Sequence, residues 1–204
     1  MSATTVKNKP TIYGLTGGIA SGKTTAVLFF KDKGVKVFES DSYVRHLWQN
    51  NETLIKKVNE KYNIDIKTDE GRKSLANIIF NSELDKAFIN SLVHPFVFEG
   101  VSNFVNENIN EKYIIVDMPL LFEVGYDIKV DKTILIYTTS RNQLTRLMKR
   151  DNLSKEDAKK RINSQINLKD KRSLSTYVIN NNRTIDKLYD KLNLMYEVMN
   201  NERK

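Results

Sequence analysis

The chain has 204 residues, 40% hydrophobic and 28% charged, which suits one folded domain with room for an insertion and excludes a disordered polymer. With 33 Lys and Arg against 25 Asp and Glu, the formal net charge is +8, which favours polyanionic ligands without choosing among nucleotides, nucleic acid and anionic membrane. There is no cysteine, so disulfides and thiolate metal sites are excluded, and no run approaches the ~18 apolar residues of a membrane span.

Met1–Pro10 is polar and lacks the apolar centre of a secretory leader, so a cytoplasmic location is expected. The first β-prone run is Thr11–Leu15. It leads into Gly17-Gly18-Ile19-Ala20-Ser21-Gly22-Lys23-Thr24, a match without mismatch to G-x-x-x-x-G-K-[ST]. A strand before the motif and the helical run Thr25–Phe30 after it supply the expected context. Glycines let successive N–H groups converge on a polyphosphate, and a helix N-terminus adds its dipole. Lys23 is placed to reach the β- and γ-phosphates, and the Thr24 hydroxyl to ligate Mg²⁺. The helix is expected to begin near Gly22 and stop at Gly34.

A second β-run, Val35–Glu39, precedes Asp41. At the carboxyl edge of an open α/β sheet, Asp41 reads either as a base for an attacking hydroxyl or, with Ser40 and Ser42, as a helix cap. Residues 42–110 contain no convincing strand and read as a helical insertion. Within them Leu84, Ala87, Phe88, Ser91 and Leu92 predict a core-facing stripe, with Ser82 and Asp85 as its capping box. Leu75, Ile78 and Ile79 predict a second, shorter stripe.

The third run, Tyr113–Asp117, ends in a carboxylate that either holds Mg²⁺, directly or through water, or caps the next turn. Met118-Pro119 follows with no glutamate beside Asp117, and no N-K-x-D motif occurs. Both absences point away from motor ATPases and GTPases, towards transfer to a bound acceptor. Lys132–Tyr137 and Thr176–Ile179 complete five runs, the pattern of an α/β fold with a parallel sheet. Between these two runs, Arg141–Asn167 predicts two polar helices broken at Asp151–Leu153, the second capped by Ser154 and Asp157. Arg146 and Arg150 are four apart on one face, as are Arg161 and Gln165, either as a solvated surface or as a lid over a triphosphate.

Several of these segments, in order from about residue 11 to about residue 182, resemble the dephospho-coenzyme A kinase family. Ile12–Thr24 is similar to its opening strand and P-loop, and Glu39-Ser40-Asp41 with Arg45 to its Asp-Ala-Asp element. Val93-His94-Pro95 resembles its His-Pro element, and Pro119-Leu120-Leu121-Phe122-Glu123 its Pro-Leu-Leu-Phe-Glu element. Gln143, Arg146, Arg150, Ala158, Arg161 and Gln165 resemble its lid helices, and Tyr177–Ile179 with Asn181 its last strand and adenine-side asparagine. Glu39, Thr176, Asn180 and Arg183 depart from the family pattern.

The resemblance implies phosphorylation of the ribose 3′-hydroxyl of dephospho-coenzyme A by ATP with Mg²⁺. It implies Asp41 as base, and Asp41, Arg45, His94, Pro119, Leu120 and Glu123 on the acceptor. It also implies Lys23, Arg146 and Arg150 as catalytic cations, and the strand order 2-3-1-4-5. The expected layout is a three-layer P-loop core of residues 1–41 and 111–204 with a lid at 141–167, and an acceptor-binding insertion at 42–110. A monomer with no nucleic-acid or membrane partner is expected. The residues themselves leave open another P-loop small-molecule kinase, or a non-catalytic ATP-binding protein using its basic surface on nucleic acid.

Overall fold

The computed structural model describes residues 9–202, so most of the stretch read above for a leader lies outside them. Its chain forms two compact units. One runs to Phe38 and resumes at Asn108, and the other spans Glu39–Glu107.

The first unit is built on β1 (Thr11–Gly17), β2 (Val37–Glu39), β3 (Tyr113–Asp117), β4 (Lys132–Tyr137) and β5 (Tyr177–Asn180). Their order is β2-β3-β1-β4-β5, the order the resemblance implied. β1 pairs in parallel with β3 and β4, and β4 with β5. Central strands buried on both faces need near-continuous apolar sequence, which is how Ile114-Ile115-Val116 and Ile134-Leu135-Ile136 read, and all six are 0% exposed. The edge strand β2 is shorter than its β-prone run, since Val35 and Lys36 lie outside it.

α1 (Lys23–Asp32) and α9 (Ile185–Asn201) cover one face of the sheet. Ala26, Val27, Phe29 and Phe30 pack with Leu188, Leu192, Met195 and Met199 onto Tyr13, Leu15, Ile134 and Ile136. Side chains alternate along a strand, so Thr16 points to the other face, where its hydroxyl donates to Pro119 O at 3.0 Å. α6 (Ser140–Asp151), α7 (Lys155–Asn163) and α8 (Leu168–Leu174) complete the unit. Ser154 Oγ accepts from Asp157 N at 3.1 Å, the predicted start of α7.

The carboxyl end of α9 is tied to the amino-terminal edge of the sheet. Glu202 accepts from the hydroxyls of Tyr13 and Tyr177 and pairs with Lys132 Nζ at 2.6 Å. Tyr13 and Lys132 are opposite one another in register, which brings these donors together. Burial alone would raise the Glu202 pKa, but hydrogen bonds from Lys132, Tyr13 and Tyr177 outweigh it and hold the group at about 2, against an ordinary value of 4.5. A carboxylate whose pKa is lower in the folded state stabilises fully above its unfolded pKa and loses that contribution as pH falls towards the folded value. Glu202→Gln is therefore expected to cost about 1–3 kcal/mol at neutral pH. The gap from wild type should close between pH 4.5 and about 2, as read from urea melts across that range. A constant gap would mean that charge is not what Glu202 contributes.

The second unit holds α2 (Ser40–Asn50), α3 (Glu52–Tyr62), α4 (Asp69–Asn81) and α5 (Glu83–Glu107), with no strand after Glu39. Asp85 N donates to Ser82 Oγ at 3.2 Å, the predicted cap. The predicted stripe that follows is corrected. Leu84 is 86% exposed, Ala87 and Ser91 face solvent, and Phe88 and Leu92 are only half-buried. Ile89, Val93, Val97, Val101 and Val105 are buried instead, at i, i+4 steps along the 25-residue helix. Large side chains at 84, 88 and 92 dominate a two-turn window, whereas the full helix is phased by its run of valines. Leu75 is buried as expected, and Ile78 and Ile79 partly so. Among the described residues, no helix is long and apolar enough to cross a membrane.

Candidate active site

β1 delivers Gly17 to the carboxyl edge of the sheet, and α1 starts at Lys23. The intervening turn closes with Ser21 N donating to Gly18 O at 3.0 Å. Ala20 and Gly22 both take positive φ, +58° and +98°. At Gly22 a side chain is excluded twice over, because a Cβ would also lie 2.2 Å from Asn181 Nδ2. Gly22 gives α1 no side-chain cap, and the first turn carries no acid. The helix donors are therefore left for an anionic ligand. Ser21 Oγ is buried with no hydrogen-bond partner, a further polar atom inside this loop.

Lys23 Nζ lies 2.7 Å from both carboxylate oxygens of Asp117, which is 5% exposed at the end of β3. Thr24 is exposed on the first turn of α1. Among the described residues no three acidic or histidine side chains converge as a metal cage. One hydroxyl and one carboxylate suit Mg²⁺, which takes one or two protein oxygens and completes its shell with phosphates and water.

The loop is gripped by side chains from elsewhere in its unit. Gln143 Nε2 donates to Ile19 O, and Ile19 N donates to Gln165 Oε1, both at 2.9 Å. Asn181 Nδ2 donates to Ser21 O at 2.8 Å, and Arg146 Nη2 donates to Asn181 O at 3.0 Å. Asn181 and Arg146 thus meet at the P-loop. Arg150 does not join them. It donates to Asp151 at 2.7 and 3.1 Å, and Arg161 pairs with the same carboxylate at 3.2 Å. The Arg150 hydrogen bond leads in holding the Asp151 carboxyl below its usual range. A cavity of about 480 Å³ is lined by Ser140 and Leu144 of α6, Lys159 and Ile162 of α7, and residues 165–168.

Pro119–Glu123 is anchored by a residue whose role was not evident from sequence. Lys171 is 0% exposed, and its Nζ donates to Pro119 O at 3.0 Å and pairs with Glu123 Oε1 at 2.8 Å. Glu123 Oε1 also accepts from Ile166 N at 3.1 Å. The one available signal was the three-residue step from Leu168 to Lys171, which puts both on the buried side of α8. Leu120 is 37% exposed. Asn182 was also overlooked, although its Oδ1 accepts from Thr138 Oγ1 and Thr139 N at 2.9 and 2.8 Å.

The remaining candidates belong to the second unit. Asp41 is exposed in the first turn of α2, two residues after β2. The residue at the cap position is Glu39, with no side-chain cap bond, so the alternative of Asp41 as a cap is not realised. Arg45 follows one turn later and donates to Ser42 Oγ at 2.8 Å. His94 precedes Pro95 within α5 and stacks on Phe98 at 5.7 Å. Burial pushes its pKa down, which favours the neutral imidazole at pH 7.

The family model for dephospho-CoA kinase matches residues 11–187. A dephospho-CoA kinase of Lactobacillus johnsonii is 36% identical over 191 residues, 91% of this chain and 96% of that protein. The chain belongs to the dephospho-CoA kinase family. The same name is carried by an Arabidopsis thaliana protein, 36% identical over 87% of this chain and 79% of its own. Among solved structures, the dephospho-CoA kinase of Campylobacter jejuni is similar with TM-score 0.67 and 27% identity over 93% of this chain and 97% of that one. A Thermus thermophilus crystal structure reaches TM-score 0.81 at 25% identity, covering 94% and 98%.

Proposed function

We infer that the chain transfers the γ-phosphoryl group of ATP to the ribose 3′-hydroxyl of dephospho-coenzyme A, giving coenzyme A and ADP in the last step of coenzyme A synthesis. Membership of a kinase family supports ATP as donor, and the family's name supports the acceptor. The structural observation that carries the reading is the uncapped P-loop, with Lys23 set against Asp117.

In the proposed mechanism, amides from Gly17 to Thr24 hold the polyphosphate, and Lys23 leaves Asp117 for the β- and γ-phosphates. Thr24 and Asp117 would hold Mg²⁺, directly or through water, and the ion would supply neutralising charge to the polyphosphate. Asp41 accepts the proton of the 3′-hydroxyl as its oxygen bonds to the γ-phosphorus, and the bond from that phosphorus to the β–γ bridging oxygen breaks. Arg45 and His94 orient the acceptor, with neutral His94 acting through hydrogen bonds rather than charge. Pro119, Leu120 and Glu123 border the acceptor. Glu123 does so from a carboxylate already fixed by Lys171. Arg146 and Arg150 stabilise the charge that develops on the transferring group, and Asn181 stands on the adenine side. Residues 141–167 act as the lid, and 42–110 as the acceptor domain.

The test is an assay of dephospho-coenzyme A with Mg-ATP, the product identified by mass, beside a panel of nucleosides, nucleotides and metabolite alcohols. A product one phosphoryl heavier from dephospho-coenzyme A alone is expected. Equal turnover of a nucleoside in the panel would transfer the assignment to another P-loop kinase.

A further inference from the structure

We propose that Gln143 is a positioning residue of the nucleotide cradle, setting the direction of the Ala20 N–H by holding the carbonyl on the other side of the same peptide. The inference rests on the reading of the P-loop given above and deepens it.

In a trans peptide the C=O of one residue and the N–H of the next point in opposite directions. A loop can converge its N–H groups on a phosphate only if the matching carbonyls diverge, and a diverging carbonyl in a buried place needs a donor. Two peptides of this loop receive one from a side-chain amide. Gln143 Nε2 reaches Ile19 O at 2.9 Å, which commits the Ala20 N–H to the opposite side. Asn181 Nδ2 reaches Ser21 O at 2.8 Å and does the same for the Gly22 N–H. Ala20 and Gly22 are also the two loop residues with positive φ, so each amide braces the peptide preceding a left-handed residue.

Gln143 is built into this place. It is 4% exposed, and a Cβ on Gly18 would lie 2.6 Å from its Nε2, so only glycine at 18 admits the amide. Ile19 is further held by Gln165 Oε1 on its N–H, which stops the residue from turning about the Gln143 contact. α6 touches the loop system again one turn on, where Arg146 donates to Asn181 O.

The experiment measures ADP binding by calorimetry to the full chain, with KM for ATP and for dephospho-coenzyme A beside it, in wild type, Gln143→Met and Gln143→Glu. Both variants are expected to weaken ADP binding and raise KM for ATP about tenfold, with KM for dephospho-coenzyme A within about twofold. Q143E also brings a pH readout that a space-filling role would not move. A protonated carboxylic acid donates to Ile19 O and a carboxylate repels it, so the Q143E deficit should narrow between pH 8 and pH 5.5 while that of Q143M stays constant. ADP affinity within about twofold of wild type in a folded variant at pH 8 would overturn the proposal, as would a Q143E deficit independent of pH. If Q143M does not fold, the Q143E pH comparison decides. Wild-type chain that fails to bind ADP would instead sink the cradle reading itself.

Discussion

Lys23→Ala is expected to reduce turnover by at least about a thousandfold and, in addition, to lower the melting temperature. The first effect follows from losing the cation proposed to meet the β- and γ-phosphates. The second follows from what Lys23 does before nucleotide arrives. Its ammonium lies 2.7 Å from both oxygens of Asp117, and the two side chains are only 15% and 7% exposed. Removing Lys23 takes a close cation away from a buried carboxylate, at a cost of about 3 kcal/mol. For a chain of this size that is on the order of 10 °C. The double variant Lys23→Met, Asp117→Asn removes both charges and should recover most of the melting temperature while remaining inactive. Thermal melting of the three proteins beside a coupled ADP assay reads both effects. An unchanged melting temperature for Lys23→Ala would show that the pair is not formed in solution.

Asp41→Asn separates chemistry from binding in the opposite way. Asp41 is exposed on the first turn of α2 and caps nothing, so its loss should leave melting unchanged. A general base in hydroxyl phosphorylation contributes about 10²–10⁴-fold, which is the expected fall in kcat. KM for ATP should stay within about twofold, because the proposed mechanism gives the polyphosphate to Gly17–Thr24 and not to this carboxylate. Steady-state kinetics at saturating acceptor measure both quantities. A kcat reduced by less than about tenfold would remove Asp41 from the role of base.

Strand positions and the P-loop were legible because their causes are local. Central strands buried on both faces must be apolar throughout, and a loop that wraps phosphate needs glycine where a positive φ and a close neighbour coincide, as at Gly22. The strand order came from the resemblance, since no periodicity states which strand lies beside which. The face of α5 was misread because bulk at Leu84, Phe88 and Leu92 outweighed a valine run that only a 25-residue view reveals. Lys171 illustrates a second kind of failure. Lysine is assumed to be solvated, and what buries this one is a carboxylate 48 positions earlier in the chain and a proline carbonyl, neither marked by any local pattern. Gln143 and Gln165 were visible as members of a pattern, but a side-chain amide gives no hint in sequence that its partner is a backbone carbonyl or N–H 124 or 146 positions away.

Asp151 accepts two arginines at once, Arg150 from its own helix and Arg161 from the next. Both guanidinium groups are about half exposed, at 57% and 49%, where an ion pair in water contributes at most about 1 kcal/mol. The shared carboxylate therefore acts as a berth and not as a lock. It keeps two cations ordered and close to the α6–α7 bend, yet an arriving polyanion that draws either one away displaces only a weak, salt-screened contact. Added salt should loosen this arrangement before it disturbs the buried Lys23–Asp117 pair, so the two cationic groups of the unit respond to ionic strength on different scales.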